Sequence, residues 1–170
     1  IRMFDSKGLI HKKRSNLAEY KLEFAQEEDL GSLADCMKGT DLFLGLSTKN
    51  LVSQDMVRSM ADKPVLFAMA NPVPEIMPDL AKEAGAKVVG TGRSDFPNQV
   101  NNVVAFPGIF KGALEGRATK ITEEMKLAAA DAIAGLVAEE DLSDTNILPE
   151  AFDPRVADVV SAAVKAHIAD

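Results

Sequence analysis

A chain of 170 residues, 46% hydrophobic and 26% charged, is long enough for one well-packed core, or for one core with a helical appendix. Its formal charge of −7 argues against general nucleic-acid affinity, and no apolar run reaches the roughly 20 residues of a membrane span. A single cysteine, Cys36, and two distant histidines, His11 and His167, exclude an internal disulfide and a thiolate or imidazole metal site. No signal peptide is visible, so the cytoplasm is the default location.

In chain order, Ile1–Phe4 is predicted as a strand ending at Asp5, with Gly8 in the turn that follows. Ile1 already stands inside a strand, so further residues are expected upstream. Dinucleotide-binding folds use a strand-end acid to hold a ribose hydroxyl, and turns use the same residue as a cap. The Gly-x-Gly-x-x-Gly turn that accompanies such an acid belongs about 20 residues earlier, before Ile1. Residues 1–21 carry six basic side chains against two acidic ones, a net +4, which leaves −11 on the other 149.

Residues 9–27 read as a polar loop with short extended pieces. Asp29 or Gly31-Ser32 opens a helix through Met37, stopped by Gly39, and residues 41–47 form a buried strand. Ser53 caps a helix over residues 54–61. Residues 64–70 form the next strand, ended by Asn71-Pro72. A short helix runs from Pro78 to Glu83 and is closed by Gly85, and residues 87–90 form a last strand.

This alternation is the pattern of an α/β fold: a Rossmann-like parallel sheet with helices on both faces, its first βα unit missing. C-terminal helices follow. One spans Asn102–Leu114 and is bent at Pro107-Gly108. A second spans Thr122–Ala138, with Leu127, Ala130, Ile133, Ala134 and Val137 on one face. A third spans Asp153–Ile168, with Pro154 in its first position. Residues 1–150 are expected to form one domain, with 151–170 as a helix packed on it.

The strand ends line up as a rim: Gly45-Leu46-Ser47, Ala70-Asn71-Pro72 and Gly90-Thr91-Gly92. The amide-rich stretch Asn98-Gln99-Val100-Asn101-Asn102 joins them. Open α/β sheets bind ligands at such a rim, and amides there are available to donate to an oxyanion. Asn101-Asn102 also suits helix capping, Asn71-Pro72 also suits a strand-ending turn, Ser47 is equally a plain loop start, and Gly45 equally a packing glycine.

Several segments, in order, closely resemble the malic enzymes, in the carboxyl-terminal part of their cofactor-binding domain. They are Met3-Phe4-Asp5-Ser6-Lys7-Gly8, Phe67-Ala68-Met69-Ala70-Asn71-Pro72, the run from Gly90 to Gln99, and the run from Asn101 to Gly108. The Thr91-Gly92-Arg93-Ser94-Asp95 wording resembles the shorter bacterial type.

The resemblance implies oxidative decarboxylation of L-malate to pyruvate and carbon dioxide with reduction of NADP or NAD, assisted by Mg or Mn. It places Asn71 and Asn102, with Asn101 beside them, near the malate carboxylates and the nicotinamide. It makes Asp5 the ribose-side acid and puts Gly45 and Ser47 on the cofactor rim. Ser6 and Lys21 fall where the family distinguishes cofactors, and a small residue with a lysine resembles the NADP-using pattern. Lys21 would neutralise a 2′-phosphate that Asp5 alone repels.

The family's tyrosine–lysine acid–base pair, glycine turn and acidic metal ligands match nothing here and are expected on a missing N-terminal portion. The chain alone is therefore expected to be inactive, and the whole enzyme to be a homo-oligomer. Two rivals remain: a non-catalytic dinucleotide-sensing or subunit-interaction domain, and another NAD(P)-dependent dehydrogenase. Asp95 and Glu75 are read as loop-cap or surface carboxylates and not as metal ligands.

Overall fold

The structure is a computed structural model that describes residues 1–168. At its centre lies a parallel sheet of β3 (Leu42–Gly45), β4 (Val65–Ala68) and β5 (Val88–Thr91), hydrogen-bonded in sequence order. The register pairs Gly45 with Ala68 and Ala68 with Thr91, so the carboxyl ends of the strands finish level. This is the parallel α/β arrangement predicted from the alternating pattern.

Alternation along the strands sends Phe43, Leu66, Ala68 and Val89 to one face. There they meet α2 (Leu33–Met37), α3 (Gln54–Arg58) and α4 (Pro78–Glu83) in a core with Met37, Val57, Ala81 and Ala84. The helices begin where their capping residues direct. Ser32 and Ser53 accept from the backbone N–H three residues on, and Pro78 occupies the first turn of α4. On the other face Leu42 and Leu44 are 52% and 55% exposed, so β3 is half-buried, not buried throughout as predicted. The described residues cover that face only in part, because the C-terminal helices build a core of their own.

That second core joins α5 (Phe106–Glu115), α6 (Glu123–Ala134) and α7 (Pro154–Ala166). Pro107 lies in the first turn of α5, where its missing N–H costs nothing, so it starts the helix instead of bending it. Asn102–Val104 forms a separate 3₁₀ turn before it. The packed face of α6 is Met125, Ala129 and Ile133, while the predicted Leu127 is 66% exposed. Two apolar stripes at three- and four-residue spacing compete on that helix, and the one carrying Met125 meets α5 and α7.

The glycines of α5 let it approach α7 closely. A Cβ on Gly112 would stand 2.6 Å from the Ser161 carbonyl oxygen, and one on Gly108 2.5 Å from Val160.

The N-terminal segment is a hairpin, not a strand of the parallel sheet. β1 (Phe4–Asp5) pairs antiparallel with β2 (Gly8–Leu9) around a tight turn. Only a one-turn helix, α1 (Glu19–Leu22), interrupts the loop that follows. The Gln26 N–H donates to the Ile10 carbonyl and the Lys12 N–H to the Gln26 carbonyl, which folds this loop back, and the Arg2 guanidinium donates to the Cys36 carbonyl at the end of α2. Gly8 takes a positive φ of 104°, which explains a glycine at the turn.

Candidate functional site

The carboxyl ends of β3 and β4 open into a groove lined by Ser47, Thr48, Lys49, Ala70, Asn71, Pro72 and Val73. The opening has a definite cause. The Met69 N–H still bonds the Gly45 carbonyl, and continuing the parallel ladder would send the Ser47 N–H to Met69. It goes instead to Glu75 Oε1, at 2.8 Å. The Ala70 N–H donates to the other oxygen, Oε2, at 3.0 Å. One carboxylate thus stands between two diverging strand ends and satisfies both backbone donors.

Glu75 is fully buried, and Gly45 is the reason that it fits: a Cβ there would lie 2.5 Å from the carboxyl carbon. The space beside Gly45 is therefore filled by the protein itself. Reading Glu75 as a loop cap was correct; reading it as a surface residue was not. Its neighbours Val73, Pro74, Ile76 and Met77 were the available signal, since an acid inside an apolar run is seldom exposed.

The third segment of the rim follows β5. Arg93 binds Asp95 through Nε and Nη2, at 2.8 and 2.6 Å, and its Nη1 donates to the Pro72 carbonyl at 3.1 Å. Arg93 thereby ties the loop after β5 to the loop after β4. The pair holds the Asp95 carboxyl below its ordinary pKa, chiefly through the Arg93 hydrogen bonds. Among the described residues no three His, Cys, Asp or Glu side chains cluster as a metal site would require.

The four asparagines of the rim divide by task. Asn98, almost fully buried and at a positive φ of 55°, donates to the Val89 and Asp144 carbonyls and accepts from the Ile147 N–H. It is a clamp between β5 and residues 144–147. Asn101 accepts from the Val103 N–H as the cap of the 3₁₀ turn and donates to the Gly92 carbonyl at 2.9 Å. The capping reading is thus correct for Asn101. Asn102 and Asn71 are exposed, and neither side chain makes a hydrogen bond among the described residues. These two asparagines stay available, as does the half-buried Gln99, which makes no side-chain hydrogen bond among the described residues, whereas Asn98 and Asn101 are spent on structure. Asn71 also begins a cis peptide bond to Pro72.

A second cluster surrounds Asp5. Its carboxylate accepts from Arg14 Nη1 and Nη2 (3.0 and 3.1 Å), from Lys21 Nζ (2.7 Å) and from the Lys7 N–H (2.9 Å). Four donors use the roughly four lone-pair sites of a carboxylate. These contacts, the Arg14 hydrogen bond first, hold Asp5 far below the usual carboxylate range. Arg14 also donates to the Gly8 and Leu9 carbonyls and so braces the hairpin. Among the described residues Lys21 makes a single side-chain hydrogen bond, to Asp5, and keeps two donors free. Ser6 is exposed next to Asp5, and Tyr20 is 69% exposed with Lys21 6.0 Å above its ring. Lys12 and Lys13 leave this cluster to pair with Glu27 and Glu28.

Level parallel strand ends that open into a groove between diverging loops form the ligand-binding edge of an open α/β domain. A family model described as the malic enzyme NAD-binding domain matches residues 1–169. The bifunctional malic/malolactic enzyme of Bacillus subtilis is 56% identical, over 96% of this chain and 41% of its own length. The NADP-dependent malic enzyme of Halomonas elongata is 46% identical, over 95% of this chain and 42% of its own. Among solved structures, the Entamoeba histolytica malic enzyme superposes with a TM-score of 0.93 at 42% identity, covering 98% of this chain and 36% of that one. The NAD-dependent malic enzyme of Thermotoga maritima gives 0.86 at 47% identity, covering 96% and 44%. This chain belongs to the malic enzyme family, as part of its NAD-binding domain, and spans 41% and 42% of the length of the Bacillus subtilis and Halomonas elongata relatives and less of others that it matches. No helix among the described residues is long and apolar enough to cross a membrane.

Proposed function

We propose that this chain is the cofactor- and part of the substrate-binding surface of a cytoplasmic malic enzyme that converts L-malate to pyruvate and carbon dioxide and prefers NADP to NAD. The observation that carries this reading is the division among the rim amides. Asn98 and Asn101 are consumed internally, whereas Asn71 and Asn102 keep their donors for a ligand. A neutral amide NH₂ binds a carboxylate without adding a charge that competes with a metal.

When bound, the nicotinamide accepts the hydride, and Mg or Mn supplies Lewis acidity. In this reading Asn71 and Asn102 grip the malate carboxylates and orient C2 toward the ring, with Asn101 holding Asn102 in place through its cap. Ser47 offers a hydroxyl on the opposite lip of the groove, and Gly45 acts indirectly, by admitting Glu75. The metal ligands and the acid–base pair are assigned to residues outside this chain. The remainder of the enzyme and a second copy of it are the partners.

For the nucleotide, the cluster around Asp5 supports a 2′-phosphate. Arg14 and Lys21 together exceed the charge of Asp5 by one, and the Asp5 lone pairs are already occupied, which leaves it a poor ribose acceptor. Asp5 then serves to hold Lys21 in position, with Ser6 leaving room beside it.

The deciding experiment is an assay of the full-length enzyme with malate and Mn, comparing both nucleotides. Nucleotide reduction with equimolar carbon dioxide release, faster with NADP, is expected. Reduction without carbon dioxide would indicate a different dehydrogenase, and no reduction would indicate a non-catalytic domain.

A further inference from the structure

We infer that Glu75 is a positioning residue, a buried wedge that splays the ends of β3 and β4 and sets where Asn71 stands. Four observations carry this. Glu75 is fully buried, which for a carboxylate demands specific partners. Its two oxygens each take one backbone N–H, from Ser47 on one lip of the groove and Ala70 on the other, 28 and 5 residues away in sequence. The Ser47 donor is the one that the β3–β4 ladder would claim next, so the carboxylate replaces a strand-to-strand bond with a wider bridge. Gly45 leaves the only place for it, since any side chain there collides with the carboxyl group.

Asn71 follows Ala70 directly, so the bridge fixes the backbone that carries its amide. The Glu75 carbonyl also accepts from the Val52 N–H, and the Pro74 carbonyl from the Asn50 N–H, so the same turn holds the far end of the loop after β3. The turn that carries Glu75 is thus bonded to the loop after β3 at Ser47, Asn50 and Val52 and to the end of β4 at Ala70. Glutamine cannot substitute. It has one acceptor oxygen, and its NH₂ would face a backbone N–H, donor against donor.

The inference rests on the assignment of Asn71 to substrate, and its test separates the two. In the full-length enzyme, Glu75→Gln should raise the malate KM roughly tenfold, as a small misplacement of a binding group does. The double variant with Asn71→Ala should be no worse than Asn71→Ala alone, within about twofold, because the wedge acts through that amide. Independently of activity, amide exchange at Ser47 and Ala70 should quicken at least about tenfold in Glu75→Gln, with Met69 in the adjoining ladder unchanged. Gly45→Ala, which displaces the carboxylate from the other side, should reproduce both effects, so the test survives if Glu75→Gln folds poorly. Unchanged exchange at both amides, or losses that multiply in the double variant, would overturn the wedge. A wild-type KM in Asn71→Ala together with quickened exchange in Glu75→Gln would instead overturn the substrate role of Asn71 and leave the wedge standing.

Discussion

Replacing Lys21 by Gln tests the nucleotide assignment most sharply. Lys21 Nζ sits 2.7 Å from Asp5 with its side chain 23% exposed, and two of its three donors are unengaged among the described residues. A charge-assisted hydrogen bond to a phosphate contributes about 1.5–3 kcal/mol. Partial exposure and salt screening favour the lower end. A loss of about 1.5–2 kcal/mol corresponds to a 10–30-fold fall in the ratio of kcat/KM for NADP over NAD, since each 1.4 kcal/mol is a factor of ten. The change should fall on the NADP KM, with kcat and the NAD values little altered. The wild-type preference should also weaken as salt rises from 0.05 to about 0.5 M, as the Debye length shrinks. Arg14→Gln is the control. Arg14 braces the hairpin through the Gly8 and Leu9 carbonyls as well as adding charge, so its loss should weaken both nucleotides, NADP the more. The assay is initial-rate kinetics with each nucleotide at saturating malate. An unchanged NADP-to-NAD ratio in Lys21→Gln would refute the reasoning.

Asn102→Ala removes one of the two unspent rim asparagines and should lower kcat or raise the malate KM by roughly 10–1,000-fold; wild-type kinetics would reject its role. Asn98→Ala should cost about 2–4 kcal/mol of stability, because it removes three hydrogen bonds, one buried and two part-buried, and urea denaturation would show no midpoint shift if the clamp is dispensable. Gly112→Ala should destabilise by about 1–3 kcal/mol or more, since its Cβ would meet the backbone of α7 at 2.6 Å; an unshifted midpoint would show that the α5–α7 contact is loose. Asp35 is held down to about 2, first by Lys38 and then by Ser32, whose N–H and hydroxyl it accepts at the start of α2. A depressed carboxylate stabilises the fold above its unfolded pKa of roughly 4, and that contribution is lost as pH falls through about 2. The carboxyl resonance of Asp35 should therefore titrate near 2 by NMR, and a midpoint near 4 would contradict the cap.

What the sequence revealed, and what it did not, follows from the range of the interactions. α4 and the starts of α2, α3, α6 and α7 were legible because their signals lie within four residues: Ser32, Ser53, Thr122, Asp153 and two prolines at first turns. The parallel order of β3, β4 and β5 was legible from alternation with helices. The hairpin of β1 and β2 was not, because an apolar run before an acid reads the same in a sheet and in a hairpin. The packed face of α6 depended on partners far along the chain, and two stripes fitted the period equally well. At the rim, the density of amides marked the place but could not divide the labour. Only coordinates show that Asn98 reaches residues 144–147 and that Asn101 turns back to Gly92. Glu75 bridges loops 28 residues apart, a distance at which no local pattern operates.

The central claim is that Asn71 and Asn102 reach across one cleft to the same small diacid beside the nicotinamide. A crystal structure of the full-length enzyme with NADP, Mn and oxalate, a planar diacid that resists turnover, tests it directly. Both side-chain amides should lie within hydrogen-bonding distance, about 3.2 Å or less, of the diacid or the nicotinamide carboxamide. An oxalate bound elsewhere, with both amides facing solvent, would contradict the account.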